Sequence, residues 1–149
     1  MQSFLMNPKM TTLQGIFYPT GYAFLMFPDA ENAGQAAREL EAAGFADEDI
    51  SLLTPSVVLK AIGKIDGEST VELPSVGTEG ATVRKYIDLA REGHHALMVK
   101  TPSNDDTERM MEIVRKLPFS YGQKYHMLAM EDLEYSFNRA LVLHEKLEG

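Results

Sequence analysis

Gly21-Tyr22-Ala23-Phe24-Leu25-Met26-Phe27, closed by Pro28, is the stretch from which the fold is read. Six apolar residues in a row, rich in aromatics and too few for a helix of ordinary length, predict a strand. Side chains alternate along a strand, so Tyr22, Phe24 and Met26 point opposite to Ala23, Leu25 and Phe27, and both faces are apolar. Such a strand belongs in the middle of a sheet that is covered on both sides.

The chain after it supplies the next elements in order. Asp29 is placed to cap a helix over Ala30–Ala43, whose inward stripe is Ala33, Ala36, Ala37, Leu40 and Ala43. Gly44 then stands where a left-handed residue ends a helix, with Phe45 as its apolar contact. Asp49–Leu53 alternates as a second, half-buried strand. A third strand is expected over His94–Lys100. It leads into a helix over Asn104–Leu117, with Ser103 as cap, Asp105 and Asp106 in the first turn, and Met110, Ile113, Val114 and Leu117 inward. A turn at Ser120-Tyr121-Gly122 precedes a fourth strand, Lys124–Met130.

The two halves stand in register. Pro28 matches Pro102, Asp29 matches Ser103, Leu40 matches Val114 and Phe45 matches Phe119, at one constant offset of 74 residues. Two strand–helix–strand units repeated in this way predict an α+β, ferredoxin-like split βαβ duplication: a four-stranded antiparallel sheet of order 4-1-3-2 with both unit helices on one face. The long spacer 54–93 is expected to insert helices between strands two and three. One is capped by Thr54 and runs to about Ile65; the other covers about Thr78–Arg91, with Val83, Tyr86, Ile87 and Ala90 on one side. The domain limits that follow are an N-terminal arm over 1–20, the ferredoxin-like domain over 21–133, and a C-terminal amphipathic helix over 134–149. That last helix, begun at Glu131, carries Leu133, Phe137, Leu141 and Leu147 on its apolar side, with Ala140 and His144 beside them. The arm holds Phe4, Leu5, Leu13, Ile16, Phe17 and Tyr18, too apolar for a solvated tail, so it is expected to pack on its own body or on a neighbouring copy.

The unit helices cover one face of such a sheet. Leaving the other in water would forgo many kcal/mol, at about 25 cal/mol per Å² of apolar surface. The inserted helices, the C-terminal helix or the sheet of a second subunit must cover it, and a homodimer in which inserted and terminal helices take part is the expectation.

Composition bounds the function. With 22 acidic and 14 basic residues the net charge is −8, which argues against nucleic-acid binding. The absence of cysteine excludes disulfides, thiolate metal sites and thiol nucleophiles, and favours a cytoplasmic setting. No run of about 18 apolar residues occurs, so no membrane-spanning helix is expected, and residues 1–20 lack the pattern of a signal peptide.

Chemistry-bearing residues are few. His94, His95, His126 and His144 show no metal-ligand spacing, and two strand spacings, about 9.6 Å, would separate His95 from His126, so neither a metal nor a cofactor is expected. Asp105-Asp106 and Glu131-Asp132 are explained by helix starts. Glycine-rich phosphate loops and nucleophile elbows are absent, and no catalytic residue is assigned. Tyr121, Tyr125 and Tyr135 gather near the fourth strand; Met98, Met110, Met111, Met127 and Met130 suit an adaptable core.

The residues Phe27-Pro28-Asp29-Ala30-Glu31-Asn32-Ala33, then Leu40-Glu41-Ala42-Ala43-Gly44-Phe45 and Asp47-Glu48-Asp49-Ile50-Ser51-Leu52-Leu53-Thr54, resemble the opening half of the bacterial heat-induced general stress domain family. Residues 94–133 are similar more loosely, through Tyr121-Gly122 and Met130-Glu131-Asp132-Leu133. The middle departs: Ser56–Arg91 has scattered glycines between amphipathic segments in place of a glycine-rich hairpin. The resemblance implies a stress-associated protein and carries no catalytic residues. The expected function is therefore a non-enzymatic stress-associated or regulatory module acting through self-association or a protein partner. The alternative is a small-ligand-binding or oxygenase-type enzyme with an apolar pocket beside the sheet of a ferredoxin-like dimer, lined by Tyr22, His95, Tyr125 or His126.

Overall fold

Tyr22–Phe27 forms the strand its composition demands, and the sheet is built on both sides of it. The computed structural model describes residues 1–7, 10, 17–63, 77–126 and 130–133. In order, its elements are β1 (Gln2–Ser3), β2 (Tyr22–Phe27), α1 (Ala30–Ala42), β3 (Ile50–Leu53), α2 (Pro55–Val57), α3 (Gly77–Arg91), β4 (His95–Lys100), α4 (Asn104–Val114), β5 (Tyr121–Tyr125) and β6 (Met130–Asp132). A π-helical turn over Val58–Ile62 extends α2.

The sheet runs β1-β3-β4-β2-β5-β6. β2 lies antiparallel to both β4 and β5, with Leu25 opposite Leu97 on one side and Gly122 on the other. β3 is antiparallel to β4, β6 antiparallel to β5, and β1 parallel to β3. This corrects the expected four-stranded antiparallel ferredoxin-like sheet of order 4-1-3-2: the sheet is six-stranded and mixed. Two short strands join it at its edges. Gln2 and Ser3 add beside Ser51 and Leu52, and Met130–Asp132 folds back onto Gln123–Tyr125.

The expected fourth strand Lys124–Met130 was misplaced for a physical reason. Gly122 has the look of a turn residue, yet it sits inside β5. A Cβ there would lie 2.9 Å from Phe119 Cε2 and 3.1 Å from Leu25 Cδ2, so its glycine serves close packing of the strand on its neighbours. With β5 starting at Tyr121, the chain has already left that strand at His126, and Glu131-Asp132 lies in β6 instead of opening a helix. The expected C-terminal helix over 134–149, with Tyr135 and His144, lies outside the described residues.

Local chemistry explains the helices. Asp29 caps α1, accepting from the Asn32 N–H at 2.8 Å, and Ser103 caps α4, accepting from the Asp106 N–H at 3.1 Å. The two caps are the residues matched by the 74-residue offset. α1 closes at Gly44, whose φ of +104° admits the paired bonds from Phe45 N to Leu40 O at 3.1 Å and from Gly44 N to Glu41 O at 3.0 Å. α4 is shorter than expected: it ends at Val114, and Ile113 and Leu117 are only partly buried, while Thr107 and Met111 turn inward.

Two apolar layers result. On one face, Ala23, Leu25 and Phe27 of β2 pack with Leu97 and Val99 under Ala33, Ala36, Ala37 and Leu40 of α1 and Met110, Met111 and Val114 of α4. On the other, Phe24 and Met26 pack with Ala96 and Met98 under Val58 and Ile62, under Val83, Tyr86, Ile87 and Ala90 of α3, and under Phe4 and Phe17. That second face is closed by the chain's own inserted segment and N-terminal residues.

Candidate functional site

β5 is a strand of five residues whose last four are all buried, two of them polar: Gln123 and Lys124. Strand alternation puts Tyr121, Gln123 and Tyr125 toward one face and Gly122 and Lys124 toward the other.

Tyr125 goes into the aromatic layer. Its ring meets Tyr18 edge-on at 4.9 Å and Phe17 at 6.0 Å, and its hydroxyl lies 2.6 Å from that of Tyr86, with both side chains fully buried. Burial, reinforced by Tyr125, pushes the Tyr86 hydroxyl well above the ordinary tyrosine range. Phe24 stacks on Tyr86 with centroids 4.0 Å apart. Gln123 Nε2 donates to the Tyr121 hydroxyl at 2.9 Å.

Lys124 goes the other way, toward the start of α4, and is only 4% exposed. Its Nζ donates to the Thr101 carbonyl oxygen and, at 2.7 Å, to Thr101 Oγ1. Thr101 is itself fully buried, held by its N–H bond to Gly21 O at 3.0 Å, while Gly21 N donates to Tyr125 O at 2.8 Å. Gly21 can bridge β4 and β5 in this way because its φ is +87°. Burial lowers the Lys124 ammonium below its ordinary range, with Asp106 and Glu131 opposing the shift.

These residues wall a cleft of about 190 Å³, lined by Thr20, Gly21, Thr101, Pro102, Ser103, Asn104, Lys124, Tyr125 and His126. His126, half-exposed, has Nε2 3.2 Å from Glu131 Oε1, and its carbonyl accepts from the Tyr18 hydroxyl at 2.7 Å. Hydroxyls, an amide, an imidazole and one amine give this mixed lining the groups to hydrogen-bond a ligand of a few heavy atoms.

Of the four residues read from the sequence as a pocket, Tyr125 and His126 border this cleft. Tyr22, at the adjoining end of β2, packs against the aromatic layer. His95 stands opposite Phe27 at the far end of the ladder that begins with Tyr22 and Lys100, about 17 Å away along the strand, and contacts Gly93 O at 3.1 Å. The four are not brought together. On the face Tyr125 enters, the rings pack in pairs, Phe17 with Phe24, Phe17 with Tyr125 and Phe24 with Tyr86. His94 is buried, with Nδ1 3.0 Å from Leu89 O and Nε2 2.9 Å from Ser120 Oγ, so both its ring nitrogens serve packing. Among the described residues, no group of three or more His, Asp or Glu is arranged to hold a metal ion, and no helix is long and apolar enough to cross a membrane.

Sequence reasoning passed over Lys124 and Thr101. The available signal was a lysine within the expected fourth strand: when buried, such a residue must find acceptors or leave the sheet. No family model, curated protein or solved structure matches the chain.

Proposed function

We propose that this chain is a non-enzymatic, stress-associated or regulatory α/β module, cytoplasmic, that acts through self-association by adding a second copy along β1. The stress-associated part rests on the resemblance of residues 21–54, and the compartment on the absence of cysteine. One observation supports self-association above others: Leu5 is 83% exposed immediately beyond an edge strand, while its neighbour Phe4 is buried. Met1 and Met6, at 37% and 39%, extend the apolar rim. Soluble edges are usually blunted by charge or proline, and here Gln2 and Ser3 offer neither. An antiparallel pairing of two β1 strands about a two-fold axis places one Leu5 at each end of the seam.

Burying each Leu5 contributes about 1.5–3 kcal/mol. The charge of −8 on each copy opposes the approach at long range, so salt strengthens association. Size-exclusion chromatography with light scattering is expected to show a dimer that salt favours, and Leu5→Glu is expected to return it to a monomer with unchanged circular dichroism. A strict monomer at all concentrations and salt levels overturns the reading. A second reading, small-ligand binding, is favoured by the cleft beside the buried Lys124, with its hydroxyl and amide groups.

A further inference from the structure

The geometry points to Lys124 as an amine nucleophile that captures small, uncharged hydroxyaldehydes as a reversible imine in the cleft between β5 and the start of α4. The inference rests on the small-ligand reading of that cleft.

Lys124 is buried, and it and its partner Thr101 both line a space of about 190 Å³. Water occupies roughly 30 Å³ per molecule in the liquid, so the space suits a ligand of two to four heavy atoms with its solvent. Thr101 gives Nζ two acceptors, its carbonyl and its hydroxyl. Two donated protons are all that a neutral amine has, so both bonds survive deprotonation and the lone pair is used by neither. Desolvation lowers the cost of that deprotonation, in the way that activates buried lysines toward carbonyls.

The lining sets the ligand class. Thr20, Ser103 and Asn104 offer hydroxyl and amide partners for a ligand hydroxyl. The charged and titratable groups facing Lys124 are Asp106 from α4, Glu131 from β6, and His126 at the end of β5, while β2 contributes Ala23 opposite it. Two carboxylates disfavour a 2-oxo acid and favour an uncharged aldehyde.

The step balances without an oxidant. The Nζ lone pair adds to the carbonyl carbon, a proton passes from nitrogen to the carbonyl oxygen, and the carbinolamine loses its hydroxyl with the second nitrogen proton as water, leaving C=N. Water reverses it.

Glycolaldehyde with cyanoborohydride, which reduces the imine to a stable secondary amine, tests this on the full native chain by peptide mass mapping. The other seven lysines are internal references. Lys124 is expected to be labelled at least about tenfold faster than their median near neutral pH, the advantage narrowing as pH rises toward the ordinary lysine range and vanishing in urea. Labelling equal to or below the median, or a preference that survives urea, overturns the proposal. Backbone and side-chain NMR shifts at Thr101 and Ser103 on adding ethylene glycol, which has the hydroxyls without the carbonyl, separate the two ideas. Shifts without preferential labelling leave small-ligand binding standing and remove the imine.

Discussion

Truncating Phe24 to alanine measures whether the second face of the sheet is sealed by the chain itself. The Phe24 ring is fully buried, stacks on Tyr86 at 4.0 Å and meets Phe17 edge-on at 5.7 Å. A buried aromatic side chain removes on the order of 150–250 Å² from water, which at about 25 cal/mol per Å² is roughly 4–6 kcal/mol as an upper bound. Alanine keeps part of that and leaves a cavity, so the expected loss is about 3–5 kcal/mol. Phe24→Leu restores apolar volume but not the two ring contacts, worth about 0.5–1.5 kcal/mol each, and is expected to cost about 1–3 kcal/mol. Leu25→Ala, on the opposite face of the same strand, is expected to cost about 2–5 kcal/mol and to add to Phe24→Ala within about 0.5 kcal/mol, since the two side chains share no partners. Urea unfolding followed by circular dichroism reads all four values. A Phe24→Ala loss below about 1.5 kcal/mol, with Leu25→Ala in its expected range, would refute the claim that α3, Phe4 and Phe17 close that face.

The remaining predictions concern the matched caps and the buried lysine. Asp29→Ala and Ser103→Ala are each expected to cost about 1 kcal/mol in the same assay, and to add, because each hydroxyl or carboxylate serves an amide of its own helix; an effect of zero at Ser103 refutes its role as a cap. Lys124 carries a pH signature. With its pKa lowered on folding, the unfolded chain holds more protons between that lowered value and 10.5, so this group makes stability rise with pH across the window. Below it the ammonium is charged in both states and the burial penalty is fully present. Lys124→Met is expected to flatten the rise, read as the wild-type minus variant difference in unfolding free energy. The scan stops near pH 10, above which Tyr86, raised on folding, makes wild type and variant alike lose stability as pH increases. A difference that is flat or falls with pH refutes a buried, desolvated amine.

Much of the fold was legible because its elements obey local rules. The periodicity of β2 assigned Phe24 and Met26 to one layer and Leu25 and Phe27 to the other, and the layers are as read. Asp29, Gly44 and Ser103 act at the places their capping chemistry required. What failed was the count and order of the strands, and it failed at the edges. β1 has two residues, Gln2 and Ser3, with no alternation to detect, and it exists because Ser51 and Leu52 of β3 present a free edge. A glycine inside β5 carried turn chemistry, while the need for it came from the nearby Phe119 ring and from Leu25, 97 residues away across the sheet. Local pattern reports propensity; close approach between distant segments is a tertiary fact.

The cleft was illegible for a related reason. Thr101 and Lys124 are 23 residues apart, and each has an innocuous local reading: the end of a strand before a helix cap, and a polar residue in a strand. Their meeting depends on β4 and β5 flanking β2 from opposite sides, with Gly21 bonded to both across the end of the sheet. Topology therefore creates the site: the crossing of β2 brings a buried amine and two acceptors to the rim where α4 begins. An isolated lysine at that position would be expelled to solvent or neutralised, since burying its charge alone is costly. It stays because Thr101 satisfies it, and Lys124 and Thr101 together border the cleft in which the lone pair has chemistry to perform.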